Sequence, residues 1–210
     1  MTTANLLSLR GLGIEFGGLV AVDQVDFELP ASHITCIIGP NGAGKSTLFN
    51  LITGIYKPSS GTVALNGEDI TGLPAHVIAA KGIARTFQSS RLFEDLSILD
   101  NVMIGMHART RTGVLSALLT PRRAKAELDT CADEAGAILQ GLSDQLYTRR
   151  YEPAGILPQA DRRRLEIARA LASHPKLILL DEPSSGMDDR DTADLMADIR
   201  RVMAENPGLS

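Results

Sequence analysis

The stretch GPNGAGKS, Gly39 to Ser46, decides the fold because it matches the phosphate-loop pattern G-x-x-x-x-G-K-[ST] at every fixed position. The apolar run Ile34–Ile38 before it predicts a strand that is buried on both faces. Lys45–Thr53 after it predicts a helix, with Gly54 as its stop signal. Strand, loop and helix in this order are the context that the pattern requires, so the sequence predicts a nucleotide-binding P-loop.

The chemistry of this loop follows from its residue types. Its glycines let the backbone curl and point N–H groups at phosphate oxygens, and the following helix directs its positive end at the same anion. We expect the side chain of Lys45 to reach the β- and γ-phosphates and the hydroxyl of Ser46 to bind Mg²⁺. The predicted phosphate-binding residues are Gly39, Pro40, Asn41, Gly42, Ala43, Gly44, Lys45, Ser46 and Thr47.

A second apolar run, Lys176–Leu180, ends in two adjacent carboxylates, Asp181 and Glu182. A buried parallel strand that ends in a carboxylate places it at the sheet edge where such folds bind ligands. We expect Asp181 to hold Mg²⁺ through water and Glu182 to act as the general base on the attacking water. An acidic pair alone is more often a helix cap or a solvated turn, so this interpretation depends on the phosphate loop.

The remaining patterns predict an α/β protein. Alternation of apolar and polar residues over Leu6–Leu29 indicates short, half-exposed strands, and Asn66-Gly67 between apolar segments indicates a hairpin. From about Leu92 to Leu157 the pattern is helical, and Asp189–Glu205 carries apolar residues at helical spacing.

Composition excludes several classes of protein. The chain has 210 residues, 44% of them hydrophobic, which suits one sizeable α/β domain. Its net charge of −4 argues against nucleic-acid binding. The two cysteines, Cys36 and Cys131, form neither a CxxC pattern nor a disulfide framework and fit a reducing compartment. The chain shows no run long enough to span a bilayer and no signal-peptide pattern, so we expect a cytoplasmic protein.

Further motifs carry a resemblance to a known family. They are FGGLVAVDQVDFEL, IIGPNGAGKSTLFNLITG, PSSG, DITGLP, GIARTFQSSRLFEDLSILDNVMIG and RRLEIARALA. Their order and spacing resemble the ATPase subunits of ATP-binding cassette (ABC) transporters over essentially the whole chain. The residues that flank these motifs resemble one of the two ATPase subunits of bacterial branched-chain amino-acid importers. Importers of urea, amides or other amino acids remain alternatives.

The resemblance implies a fold class, a reaction and a set of domains. The fold is an ABC-type P-loop ATPase of the α/β class with an antiparallel β portion near the N-terminus and an inserted helical subdomain. The reaction is ATP hydrolysis coupled to transport, with ATP and Mg²⁺. The expected division of the single domain over 1–210 is a core of about 1–91 and 158–210 and a helical subdomain of about 92–157.

Several residues acquire roles from the resemblance alone. Gln88 matches a glutamine that touches Mg²⁺ and couples to the membrane subunit, so it joins Lys45 and Glu182 as a catalytic candidate and Ser46 and Asp181 as a metal candidate. Phe16 matches an aromatic residue that stacks on adenine. The helical subdomain matches the part that grips the transporter's coupling helices. The loop that crosses to the partner subunit matches Ser185, Gly186, Met187 and Asp188.

The signature motif of the family, commonly LSGGQ, acts in trans on the nucleotide of the partner subunit. The matching residues are Leu157, Pro158, Gln159, Ala160 and Asp161. Related importer subunits are similar to LPYGDQRR, which leaves Gln159, Ala160 and Arg162 as departures. Alanine in place of glycine strains a backbone with positive φ but is benign in a helix, and the sequence leaves both open.

The neighbours of Ala160 add two expectations. Asp161 is a candidate cap of its own helix, which would leave less of the helix's positive end for phosphate, and Arg162 adds a compensating charge. Arg162–Arg164 together predict a solvated face with local ion pairs rather than a nucleic-acid site. The motif is therefore expected to be weakened rather than abolished.

Family members carry, after the helix that follows the D-loop, a strand ending in a histidine that senses the γ-phosphate. The four histidines of this chain, His33, His76, His107 and His174, all precede Asp181, and the chain ends at Ser210. We therefore expect a chain truncated at its C-terminus. This feature and the altered signature favour an alternative function, a nucleotide-binding module with little or no turnover in a hetero-oligomeric transporter. The presence of Lys45, Asp181 and Glu182 opposes this alternative and favours the ATPase.

The expected partners follow from the same family. They are a second ABC ATPase subunit, identical or different, the transmembrane permease subunits and, indirectly, a periplasmic solute-binding protein, with no nucleic acid. The expected location is the inner face of the plasma membrane, where the permease would hold the chain as a peripheral subunit.

Overall fold

The chain forms two compact units in a computed structural model that describes residues 5–88, 91–107, 109 and 121–210. The first unit comprises residues 1–85, 175–181 and 206–210, and the second comprises residues 86–174 and 182–205. The predicted division into a core of about 1–91 and 158–210 and a helical subdomain of about 92–157 rests on the family resemblance, and it stays a prediction.

An antiparallel sheet of four strands dominates the first unit, in the order β2-β1-β3-β4. Its strands are β1 (Asn5–Phe16), β2 (Leu19–Pro30), β3 (Ser60–Leu65) and β4 (Glu68–Asp69). Gly17-Gly18 and Asn66-Gly67 make the two tight turns, and all four residues have positive φ, as the favoured two-residue hairpin turn requires. The predicted hairpin at Asn66-Gly67 is confirmed. The strands predicted over Leu6–Leu29 are formed, although β1 and β2 are longer than expected, at 12 residues each.

The first unit also contains a parallel pair of strands, β5 (Ile83–Arg85) and β6 (Leu177–Leu179), and two helices, α1 (Lys45–Ile52) and α2 (Ala75–Ala80). Their apolar residues share one core with the antiparallel sheet. Full burial of each Leu or Ile side chain in this core stabilises the fold by about 1.5–3 kcal/mol. The predicted helix after the phosphate loop and the predicted strand before Asp181 are both confirmed.

The predicted strand Ile34–Ile38 is wrong. No strand is formed there, and Ile34, Ile37 and Ile38 are 60%, 37% and 87% exposed. A buried strand needs a hydrogen-bonded neighbour, and none of the described strands pairs with this run. Beside β6 the main chain of Ser210 makes the bonds instead, since its N–H donates to the carbonyl of Lys176 at 3.0 Å and its carbonyl accepts from Ile178 at 2.8 Å.

The second unit is helical in its described part. Its elements are α3 (Ile98–Gly105), α4 (Pro121–Leu142), α5 (Asp144–Thr148), a 3₁₀ turn (Ala154–Ile156), α6 (Gln159–Leu171) and α7 (Asp189–Glu205). The predicted helical pattern is confirmed, except that residues 108 and 110–120 lie outside the described residues. Gly105 lets α3 approach the main chain of α6, because a Cβ at this position would overlap the carbonyl oxygen of Arg169. None of the described helices is long and apolar enough to cross a bilayer.

Candidate nucleotide-binding and hydrolysis site

The phosphate loop folds as a tight turn that leads directly into α1. Gly42 and Gly44 both have φ of 83°, and Gly44 is the left-handed residue immediately before the first helical residue, Lys45. A side chain at Gly44 would also meet the carbonyl oxygen of Ala21 at 2.5 Å. Position 44 therefore requires glycine both for its backbone conformation and for the close approach of β2.

The ammonium group of Lys45 lies over the turn. Its Nζ donates to the carbonyl oxygens of Gly39 and Pro40, at 2.7 and 2.9 Å. The loop thus holds the cation beside the N-terminus of α1, where fixed positive charge and free N–H groups favour an anion. The turn keeps this geometry without the strand that the sequence predicted before it.

The structure brings Ser46 and Asp181 together in the first unit, as the sequence predicted. The Oγ of Ser46 donates to Oδ1 of the buried Asp181 at 3.4 Å. A hydroxyl and a carboxylate are oxygen ligands of the kind that Mg²⁺ prefers, and adjacent ligands of an octahedral Mg²⁺ lie about 3 Å apart. The donor set therefore fits a magnesium ion.

Arg85, the last residue of β5, is a site residue that the sequence prediction missed. Its Nη2 donates to Oδ2 of Asp181 at 2.8 Å, and both side chains are more than nine-tenths buried. Its Nη1 donates to Asn50 at 2.6 Å, and its guanidinium lies 5.6 Å from the ring centroid of Phe49. The sequence carried one indication of this role, because Arg85 is the charged residue at the end of the apolar stretch Ile83-Ala84.

Glu182 and Gln88 form a pair in the second unit. The Nε2 of Gln88 donates to Oε2 of Glu182 at 2.8 Å. Glu182 adopts φ of 47°, a conformation that is uncommon for residues other than glycine. Strained backbone of this kind clusters at functional sites, which agrees with the predicted catalytic role. That Gln88 contacts Mg²⁺ stays a prediction.

The signature segment is helical from its third residue. Helix α6 begins at Gln159 after Pro158, so Ala160 lies in its first turn, and its φ is not positive. Of the two alternatives for Ala160, the structure therefore supports the benign one, and one argument for a weakened signature falls away. The expected cap is wrong, because Asp161 lies inside the helix and accepts from Nη1 of Arg164 at 3.3 Å instead.

Two of the three arginines after the signature, Arg163 and Arg164, make the predicted local ion pairs, but the three do not form a solvated face. Arg162 donates to the carbonyls of Leu157 and Gly155 and to Glu94, at 3.0, 2.6 and 2.8 Å. Its charge is therefore paired with Glu94, and its other donors bond the main chain just before the helix. Arg163 is buried against Glu166.

Arg164 bonds Asp198 of α7 at 2.8 Å. Burial acts against its charged form. The hydrogen bond and charge of Asp198, and then the charge of Asp161, outweigh burial and raise the pKa of the Arg164 guanidinium.

The remaining predicted residues lie on the surface of their units. Ser185 and Gly186 are exposed in a turn in which the N–H of Ser185 donates to the carbonyl of Glu182 at 3.1 Å. Asp188 caps α7 by accepting from the N–H of Asp191 at 2.7 Å. Phe16 is exposed at the end of β1, with the ring of Tyr56 edge-on at 5.3 Å. Their roles with adenine and with a partner subunit stay predictions.

Comparison with known proteins assigns the family. The sequence profile of the ABC transporter family matches residues 22–185, more than half of the chain. The chain belongs to the ABC transporter family. It is an ATP-binding ATPase subunit of that family, which confirms the predicted family, α/β P-loop fold class and enzyme class.

Two similar relatives of this ABC subunit are bacterial. The High-affinity branched-chain amino acid transport ATP-binding protein LivG of Escherichia coli (strain K12) is 42% identical over 193 residues, which are 90% of this chain and 74% of LivG. The corresponding protein BraF of Pseudomonas aeruginosa is 39% identical over 202 residues, 96% of this chain and 78% of BraF.

Solved structures agree. A nucleotide-free ATP-binding cassette from an ABC transporter has a TM-score of 0.81 and 31% identity, with 96% of this chain and 78% of that one covered. A second ATP-binding cassette of an ABC transporter has a TM-score of 0.83 and 30% identity, with 98% and 79% covered.

Proposed function

We propose that this chain powers an ABC importer of branched-chain amino acids by binding and hydrolysing ATP. The observation that carries the proposal is the phosphate loop with Lys45 over its turn and Ser46 beside Asp181. The choice of solute is supported by the names of LivG and BraF, the two importer subunits that the chain resembles over at least 90% of its length.

In this proposal the residues of the first unit bind Mg-ATP. Backbone N–H groups of Gly39–Thr47 hold the phosphates, Lys45 exchanges its loop carbonyls for β- and γ-phosphate oxygens, and Phe16 stacks on adenine. Ser46 and Asp181 would hold Mg²⁺, which would supply positive charge to neutralise the phosphates. The guanidinium of Arg85 occupies one oxygen of Asp181 and so leaves the other, near Ser46, for the metal.

Hydrolysis needs a base that orients water against the γ-phosphate. Glu182 has this role in the proposal, and the amide of Gln88 holds one of its carboxylate oxygens at 2.8 Å. The partner of Glu182 in this pair is neutral, so the pair fixes the direction of the carboxylate without cancelling its charge. A carboxylate that is held in direction and keeps its charge is suited to accept a proton from water.

Transport requires a second ATPase subunit and a permease. The signature at Leu157–Asp161 would face the nucleotide of the partner, and the loop Ser185–Asp188 would cross to it. ATP then binds the closed dimer more tightly than the open one, and hydrolysis removes that preference, which drives the permease between two states. The chain would lie at the cytoplasmic face of the membrane, held by the permease, and a periplasmic solute-binding protein would deliver the solute.

The proposal is tested first on the purified chain. Lys45→Ala is expected to abolish Mg-ATP binding, measured with a fluorescent ATP analogue. Glu182→Gln is expected to keep binding but to lower kcat for Mg-ATP hydrolysis by about 100-fold or more. Unchanged affinity in Lys45→Ala would overturn the P-loop assignment, and turnover that is insensitive to Glu182→Gln would overturn the base.

The solute is tested with the assembled transporter in proteoliposomes. Leucine-loaded solute-binding protein is expected to stimulate hydrolysis several-fold, whereas urea and short amides are expected to leave it at the basal rate. Stimulation by urea or amides instead of leucine would assign the subunit to another importer.

A further inference from the structure

Arg163 lies in the second turn of α6, with its side chain 5% exposed, and it contacts the segment that carries Gln88. Its Nη1 donates to the carbonyl oxygen of Phe87 at 3.0 Å, and its Nη2 donates to that of Gln88 at 2.7 Å. Nη1 also donates to Glu166, one turn along the same helix, at 2.9 Å. One planar guanidinium thus bonds two consecutive carbonyls to α6, the helix that begins within the signature segment.

The main chain that Arg163 holds carries a side chain of the proposed site. The amide of Gln88 donates to Glu182, so a continuous path of bonds runs from α6 through Arg163 and Gln88 to the proposed general base. Every residue in this path belongs to the second unit. A displacement of the Phe87–Gln88 carbonyls would move the amide and with it the direction of the Glu182 carboxylate.

Stability alone does not account for this arrangement. The Nε of Arg163 and the Oε1 of Glu166 are buried without a hydrogen-bond partner among the described residues. A buried ion pair with unsatisfied atoms is commonly no more stable than apolar side chains of similar volume. The guanidinium fork does have a geometric use, since it bonds two carbonyls at once, which an ammonium group does with less directional control.

We propose that Arg163 is a positioning residue for ATP hydrolysis, which holds the main chain at Phe87–Gln88 so that Gln88 directs Glu182. This inference rests on the proposed function of Glu182 as the base. Arg163 does not touch the substrate in this proposal, and its effect on turnover passes through Gln88.

A double-mutant cycle on the chain of 210 residues tests this path. Arg163→Lys is expected to lower kcat about 10-fold while the Kd for the ATP analogue changes less than about two-fold, because loss of alignment acts on the chemical step. In a Gln88→Ala background, Arg163→Lys is expected to lower kcat by less than a further two-fold or so, since the shared path is already broken. Equal fold-losses in both backgrounds would overturn the proposal.

Arg164→Lys is the matched control, because Arg164 lies next to Arg163 and its bonds go to Asp161 and Asp198. It is expected to change kcat less than about two-fold in either background. A loss as large as that of Arg163→Lys would show a general effect of α6 and would contradict the proposal.

The paired substitution Arg163→Met with Glu166→Leu distinguishes an effect of Arg163 on the positioning of Gln88 from an effect on the stability of the fold. It removes the buried charges together, so the Tm is expected to stay at or above that of the wild type, while kcat falls as in Arg163→Lys. A Tm that is maintained together with an unchanged kcat would refute the positioning role.

An NMR measurement distinguishes failure of this inference from failure of the proposed function. The side-chain amide resonances of Gln88 are expected to shift in Arg163→Lys and in Glu182→Gln, but not in Arg164→Lys. If wild-type turnover proves independent of Glu182, the proposed function fails, and these resonances still report whether Arg163 positions Gln88. Unshifted resonances in Arg163→Lys would overturn the inference by themselves.

Discussion

The buried pair between Arg85 and Asp181 leads to the most quantitative prediction. The two side chains are 6% and 8% exposed, and their charged atoms lie 2.8 Å apart. In Arg85→Met the methionine retains much of the apolar contact of the arginine stem but leaves the carboxylate of Asp181 buried without its guanidinium. Breaking one partner of a buried pair costs about 3–5 kcal/mol, a large part of the 5–15 kcal/mol that stabilises a typical domain.

Equilibrium urea unfolding at pH 7, without Mg²⁺ or nucleotide, measures this cost. We expect the free energy of unfolding of Arg85→Met to fall by about 3–5 kcal/mol. The exposed pair of Lys81 and Glu68, 27% and 64% exposed, supplies a control in the same unit. Lys81→Met is expected to cost about 0–1 kcal/mol.

A second substitution separates loss of the pair from loss of packing. Adding Asp181→Asn to Arg85→Met removes the stranded charge, so we expect the double variant to regain about 2 kcal/mol relative to Arg85→Met alone. Additive losses, or an Arg85→Met variant no less stable than Lys81→Met, would refute the reasoning that a buried charge is left unpaired.

Two further predictions concern the second unit. Burial opposes the charge of Glu134, but the bond and charge of Arg109, and then of His174, hold the pKa of its carboxyl below the usual 4.5. Because the folded pKa is lowered, the stability from Glu134 is present above about pH 4.5 and is lost as the pH falls below it. The difference in unfolding free energy between wild type and Glu134→Gln should therefore shrink between pH 5 and about pH 3 in denaturant titrations, and a constant difference would contradict the assignment. Ala160→Gly is expected to lower the Tm, at a cost of up to about 1 kcal/mol, and to leave turnover at the partner's P-loop unchanged, because position 160 is helical; an increase in that turnover would show that the alanine obstructs phosphate.

Local patterns in the sequence predicted the elements that depend on local physics. The phosphate loop, its helix and the tight turn at Asn66-Gly67 follow from glycines and short motifs whose backbone demands are read within a few residues. The absence of a strand at Ile34–Ile38 could not be predicted in this way. The apolar residues of this run meet the sequence criterion for a strand, but a strand exists only when another chain segment bonds to it, and that condition is not local.

The two arginines that the sequence prediction missed differ in how far they could have been found. Arg163 lies three residues after Ala160 and four before Ile167, so it occupies the buried stripe of α6, and a charge at such a position is a signal in its own right. Its partners at Phe87 and Gln88, more than seventy positions away in the chain, are not visible in the sequence. Arg85 carries a weaker signal because β5 has three residues, too few to show a periodicity.

Asp181 and Glu182 are adjacent in the chain, yet their environments suit them to different chemistry. Asp181 is buried, and its Oδ2 accepts from the guanidinium of Arg85, which leaves Oδ1 for a metal ion. Glu182 has a φ of 47° and accepts a hydrogen bond from a neutral amide, which orients its charge without neutralising it. Replacing Gln88 by lysine should therefore impair hydrolysis more than nucleotide binding, whereas Arg85→Met should first impair the Mg²⁺ binding that we propose for Asp181. The segment Arg85–Gln88 supplies a hydrogen-bond partner to each of the two carboxylates, Arg85 to Asp181 and Gln88 to Glu182. These different partners support the different roles that we propose for the two side chains.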